Sequence, residues 1–100
     1  MASRKRGGWV YIMANRYRGA IYVGVTSDLS KRIYKHREGG GSDYAYRREL
    51  KRLVWADHFD GIELAIAHEK RVKRWHRKWK IDLIEKSNPE WDDLFDRLLS

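Results

Sequence analysis

Short apolar blocks separated by polar runs give the chain its pattern, and the period of those blocks changes from two to about three and a half along its length. Residues 9–13, Trp-Val-Tyr-Ile-Met, and 20–25, Ala-Ile-Tyr-Val-Gly-Val, are β-branched and aromatic. Between them, Asn15, Arg16, Tyr17, Arg18 and Gly19 form a turn-favouring run, so the two blocks predict a β-hairpin with a loop of about five residues. A tyrosine sits third in each strand, and antiparallel pairing brings Tyr11 and Tyr22 close. Thr26-Ser27-Asp28 is a helix-start signature, and Leu29 with Ile33 is an i, i+4 apolar pair, which predicts a helix over 28–37 facing the sheet. Lys31, Lys35 and Arg37 fall on its solvated side. Gly39-Gly40-Gly41-Ser42 is a flexible joint inside the domain, and 43–50 has room for one helical turn without a clear period. Residues 52–57 predict a third strand, closed by Asp60-Gly61.

From Ile62 the period is helical. Ile62, Ala65, Ile66 and Val72 form one stripe, and Glu69 falls in its middle. A run of cations interleaved with Trp75 and Trp79 follows, with a break near Arg77 before Ile81, Leu83 and Ile84 resume the apolar pattern. Asn88-Pro89 ends the region, because the residue before proline avoids the helical basin. Residues 91–99 predict a last short amphipathic helix.

Composition narrows the class. One hundred residues, 42% of them hydrophobic, suffice for one folded domain, expected over 9–100 behind a flexible basic arm at 1–8. The absence of cysteine excludes disulfide scaffolds and thiolate metal sites. No apolar run is long enough to span a membrane, and the arm lacks the apolar core of a signal peptide, so the expected location is the cytoplasm. The net charge of +8 exceeds what a fold needs and points to a polyanionic partner.

Four groups of residues are candidates for chemistry. A carboxylate in an apolar stripe, Glu69, is costly unless paired or bound to a cation; it is either half of a structural ion pair or a ligand for a hard divalent ion completed by a phosphate substrate. Arg32 and His36 share one helix edge, where a guanidinium binds phosphate oxygens and an imidazole relays a proton; the plain alternative is a solvated face. Tyr11 and Tyr22 are either core tyrosines or a matched pair beside Gly24, a glycine that gives a ligand room to approach. Lys35 and the run containing Lys70, Lys73, Arg74 and Lys78 are expected to contact nucleic-acid phosphates, with at least one of Trp75 and Trp79 in the core.

Together these residues resemble the GIY-YIG nuclease superfamily, in its small stand-alone form related to the excinuclease incision subunit. Trp9-Val10-Tyr11 matches the first motif, with Trp9 in place of its glycine, and Tyr22-Val23-Gly24 matches the second, with ten residues between the tyrosines. Arg32, His36, Glu69 and Asn88 follow in the family's order. The resemblance covers about Trp9 to Leu94. It implies an α+β fold, a small three-stranded antiparallel sheet flanked by helices, and hydrolysis of DNA phosphodiesters with one Mg²⁺ or Mn²⁺ ion and no nucleotide cofactor. In it Tyr22 activates or delivers the nucleophile, Arg32 neutralises the phosphate and Glu69 holds the metal. Tyr11 and His36 position water and protons, and Asn88 orients the site. The alternatives are a non-catalytic nucleic-acid-binding module with the same fold and a basic module that docks an acidic protein.

Overall fold

A computed structural model of the protein describes residues 7–38 and 49–99; the glycine joint, most of 43–50 and most of the basic arm lie outside the described residues. Three strands, β1 (Gly8–Ala14), β2 (Ile21–Thr26) and β3 (Arg52–Phe59), form an antiparallel sheet in the order β2-β1-β3. Four helices accompany it: α1 (Leu29–Arg37), α2 (Ile62–Arg74), α3 (Arg77–Ser87) and α4 (Phe95–Leu99). The fold is the expected α+β sheet with helices. β1 already takes in Gly8, and β3 runs two residues beyond the predicted strand because Gly8 and Trp9 pair with Phe59 and His58.

The central strand is buried on both faces, and its period-two pattern sorts the core. Val10, Ile12 and Ala14 join Ala65, Val72, Ile84 and Trp91 on one side, while Tyr11 and Met13 join Leu29, Ile33, Leu50 and Leu53 on the other. Gly8 has no room for a side chain, since a Cβ there would lie 2.8 Å from that of Ala65. Between Ile12 and Met13 the β1–β3 register slips, so that Ile12 faces Trp55 and Met13 faces Leu53. Val54 is the extra residue of this bulge.

The hairpin loop is clamped from outside. Asn15 Oδ1 accepts from the Ala20 amide at 2.9 Å, and Arg18 sits at φ +51°. Arg18 forms a two-pronged pair with Glu85 of α3 at 2.8 and 2.7 Å, and Arg77 donates to the carbonyls of Arg18 and Gly19. The hairpin is therefore fastened to a helix about sixty residues away in sequence.

Two expectations change. Ile66, placed in the α2 stripe, is 37% exposed; the buried positions are Ala65, Glu69 and Val72. Spacing i, i+4, i+7 is as helical as the predicted one, and the sheet selects it. The break between helices falls near Arg77 as expected, at Trp75 and His76, whose ψ angles of 149° and 151° are extended. Trp75 packs against the core and Trp79 is exposed, as one of the two readings required.

The second change is at Trp91, expected to begin the last helix. It is wholly buried at φ +57°, and helix begins only at Phe95. Its indole N–H donates to Glu85 at 2.7 Å and its carbonyl accepts from Arg52 at 3.0 Å. The chain then lies along β3, where the Leu94 amide donates to the Leu53 carbonyl at 2.7 Å and Asp93 accepts from the Leu53 amide. Tertiary hydrogen bonds outweigh the amphipathic pattern of 91–94. Trp91→Ala is expected to cost about 3–5 kcal/mol of folding stability by emptying this site. Trp91→Phe, which loses chiefly the indole bond, should cost about 1–2 kcal/mol. Urea unfolding of both variants checks the order.

Candidate active site

Strand register assembles the first half of the site. Tyr11 on β1 pairs directly with Gly24 on β2, and Tyr22, two residues earlier on the same face, is its diagonal neighbour with ring centroids 6.4 Å apart. A Cβ at Gly24 would stand 2.4 Å from the Tyr11 hydroxyl. The glycine thus admits the phenol of Tyr11 rather than a ligand, which corrects the reason expected for it.

Helix α1 supplies the second half. Asp28 caps its N-terminus, accepting from the Lys31 amide at 3.1 Å, and buried Leu29 and Ile33 seat the helix on the tyrosine face of the sheet. This turns Arg32 and His36 toward Tyr11. Arg32 Nε donates to the Tyr11 hydroxyl at 3.2 Å, and that hydroxyl lies 3.0 Å from His36 Nε2. The arrangement that uses each group once has Tyr11 donating to Nε2, leaving the imidazole proton on Nδ1, which is buried with no partner. Arg32 is also hydrogen-bonded to Tyr22, and both phenols push its pKa up. The rings of Tyr11 and Tyr22 lie 5.7 and 5.5 Å from that of His36.

Burial sets the protonation states. It pushes Tyr11 up to about 12, with the Arg32 hydrogen bond opposing it only in part. Burial, helped by the Arg32 charge, pushes His36 down to about 4. At neutral pH the centre therefore holds a protonated phenol, a neutral imidazole and a fixed guanidinium charge: a proton donor, a proton acceptor and a cation in one hydrogen-bonded row.

Glu69 approaches from α2. The residue is 6% exposed, and its charge is felt at Tyr11. Of the two readings open for it, the ion pair is present: Lys73, one turn on, places its ammonium on Glu69 Oε2. That ammonium also lies 5.8 Å from the centroid of the Tyr22 ring. Edge strand β2 is where α2 and α1, on opposite sides of the sheet, both reach Tyr22. Among the described residues no cluster of three or more His, Asp or Glu side chains could enclose a metal.

The structure thus brings together Tyr11, Tyr22, Arg32, His36 and Glu69. Asn88 is used elsewhere. Its amide donates to the carbonyls of Val54 and Asp92 at 3.0 and 2.9 Å and accepts from the Asp92 amide at 3.1 Å, so it clasps the C-terminal turn to β3. The cation run is divided between two successive helices. Lys70, Lys73 and Arg74 end α2, whereas Lys78 belongs to α3 and pairs with Asp82 at 3.0 Å. Lys35 lines a groove of about 360 Å³ with Thr26, Ser27, Asp28, Lys31 and Arg32, which runs from the helix start to the site arginine. Lys31, read only as a solvated residue, belongs to that groove; its i, i+4 relation to Lys35 was the available signal.

This is a small α+β domain whose sheet carries a cluster of two tyrosines, an arginine and a histidine beside a basic groove. A model described as the GIY-YIG catalytic domain matches residues 7–82. The chain belongs to the GIY-YIG family, a family of nucleases. It is similar to a UPF0213 protein of Staphylococcus saprophyticus, 36% identical over 66 residues that cover 66% of this chain and 80% of that one. A UPF0213 protein of Bacillus pumilus is 36% identical over 72% of this chain and 74% of its own. One from Bacillus velezensis is 38% identical over 66% and 67%. No solved structure matches. No helix among the described residues is long and apolar enough to cross a membrane.

The histidine has a measurable consequence. The unfolded chain protonates His36 near the ordinary value of 6.5, the folded chain only near 4. Between these values the unfolded state binds more protons, so this contribution to stability is complete above 6.5 and lost as pH falls toward 4. The wild type should lose stability on acidification more steeply than His36→Phe, by at most about 1.4 kcal/mol per pH unit. Parallel urea titrations across that window, with NMR titration of the imidazole, check the sign.

Proposed function

We propose that the chain is a divalent-metal-dependent DNA endonuclease that hydrolyses phosphodiesters with structural preference or weak sequence specificity. One observation carries the reading: a guanidinium, a neutral imidazole and two phenols converge within hydrogen-bond reach, with a buried carboxylate on the facing helix. Phosphoryl transfer asks for charge neutralisation and positioning more than for covalent chemistry. Arg32 neutralises the scissile phosphate through its remaining N–H donors. Tyr22, at the sheet edge, orients the attacking water. Tyr11 and His36 position water and protons: the phenol donates to the unprotonated Nε2 and keeps its oxygen turned to accept from the site. Asn88 acts at one remove, by holding the C-terminal turn against β3.

Glu69 fits the expected ion in one specific way. A lone carboxylate does not enclose a metal, but Mg²⁺ and similar ions are commonly held by one or two carboxylates together with water and substrate phosphate. Glu69 would hold it, and when bound it supplies charge stabilisation for the departing oxygen. The groove at Lys31 and Lys35 supports a phosphate track leading to Arg32.

Nicking of plasmid DNA with Mg²⁺ or Mn²⁺, extended to flaps, forks, junctions and single strands, tests the reading. Glu69→Gln should abolish metal-dependent cleavage with DNA binding retained. Tyr22→Phe should lower cleavage on the order of a hundredfold, the scale of general acid–base effects. DNA binding without cleavage of any substrate would favour the non-catalytic module instead. For the groove, log K should fall linearly with log salt, and replacing Lys31 and Lys35 with alanine should flatten the slope by about 1–2 units on duplex DNA. The loss should be similar for all sequences, because phosphate contacts do not read bases.

A further inference from the structure

The group that occupies the Glu69 carboxylate comes from the protein's own chain. Lys73 follows Glu69 by four residues on α2, in the order that favours a helical ion pair, and its ammonium lies on Oε2 at 2.5 Å. The Glu69 side chain is 8% exposed while that of Lys73 is half-exposed. A buried carboxylate without a counter-ion is costly, so the lysine stabilises it where it stands. The same ammonium lies beside the face of Tyr22, at the point where the site opens. Nearby, Lys80 donates to the Lys73 carbonyl at 3.1 Å, which adds a second positive charge to this corner.

An ammonium has three donors and no acceptor, so it is never a metal ligand. A divalent ion on Glu69 and an ammonium on the same oxygen repel each other at such a distance and cannot share it. The lysine, on a flexible four-carbon stem that reaches solvent, is the partner able to leave. We propose that Lys73 is a tethered counter-ion that neutralises Glu69 in the metal-free protein and must be displaced before a divalent cation binds there. Lys73 then belongs to the metal site as its competitor and not only to the DNA-contacting surface. The inference rests on the reading of Glu69 as the metal carboxylate.

The test is binding of Mn²⁺ to the full chain without DNA, read from the loss of the free-ion signal in electron paramagnetic resonance. Lys73→Met should bind Mn²⁺ roughly three- to tenfold more tightly than wild type, the scale of one partly buried ion pair. Lys73→Gln serves if the methionine variant does not fold, and should act in the same direction. Glu69→Gln should remove the gain in either background. Lys70→Met, which removes an equal charge from an exposed position of the same helix, should change the affinity much less. Affinity indifferent to residue 73 while still dependent on Glu69 would overturn the inference alone. So would an equal gain from Lys70→Met, which would reduce the effect to general charge. Absence of any Glu69-dependent binding in every variant would overturn both the inference and the metal reading beneath it.

Discussion

The packing of the Tyr11 ring against Gly24 is the contact on which the site depends. It places a phenol in the middle of the sheet, where burial keeps the proton on the oxygen and the neighbouring strand leaves space for the ring alone. That oxygen is the shared partner of Arg32 and His36, two side chains one turn apart on α1. Their orientation in turn depends on Leu29 and Ile33, which seat the helix. A central strand buried on both faces holds Tyr11 with little freedom, and the polar row built on it is correspondingly preorganised.

A second network holds the frame. The Glu85 carboxylate is drawn down to about 2 by hydrogen bonds from Arg18 and the Trp91 indole, and so remains charged where it joins the hairpin loop, α3 and the C-terminal segment. Asn88 and Asp93 extend the same role: one joins the turn after α3 to Val54, the other joins the chain before α4 to Leu53 and Arg37. Asn88 bonds to backbone alone, Asp93 to backbone and to Arg37, and Glu85 to the side chains of Arg18 and Trp91. Their effect is to lock the order of elements around β1, which leaves the Tyr22 edge as the place where both layers meet.

The electrostatics of that edge follow from its neighbours. A chain of net charge +8 surrounds the buried carboxylate of Glu69, and the arginine there donates to the Tyr11 phenol. Its charge is therefore uncompensated by a carboxylate in that row and remains suited to an anion. On α2 the balance is the reverse, since Glu69 takes up the charge of Lys73. The two sides of Tyr22 thus differ in their demand for a partner of opposite sign.

Period and punctuation in the sequence were enough for the hairpin, α1, the third strand and the anomaly at Glu69, because each depends on contacts within a few residues or on an unmistakable switch of period. The tyrosine pair was legible for the same reason: a hairpin fixes which residues share a face. Other features depended on partners distant in sequence. Ile66 and Ala65 fit a helical stripe equally well, and only the sheet selects Ala65. Trp91 looks amphipathic in sequence, yet its burial depends on Glu85, Arg52 and the edge of β3. Lys73 looks like one cation in a run of many until α2 carries it to Tyr22. Local propensity and spacing act over a turn of helix or a hairpin loop; which of several equivalent faces is buried, and which of many lysines meets the buried carboxylate of Glu69, is settled only by packing across the folded chain.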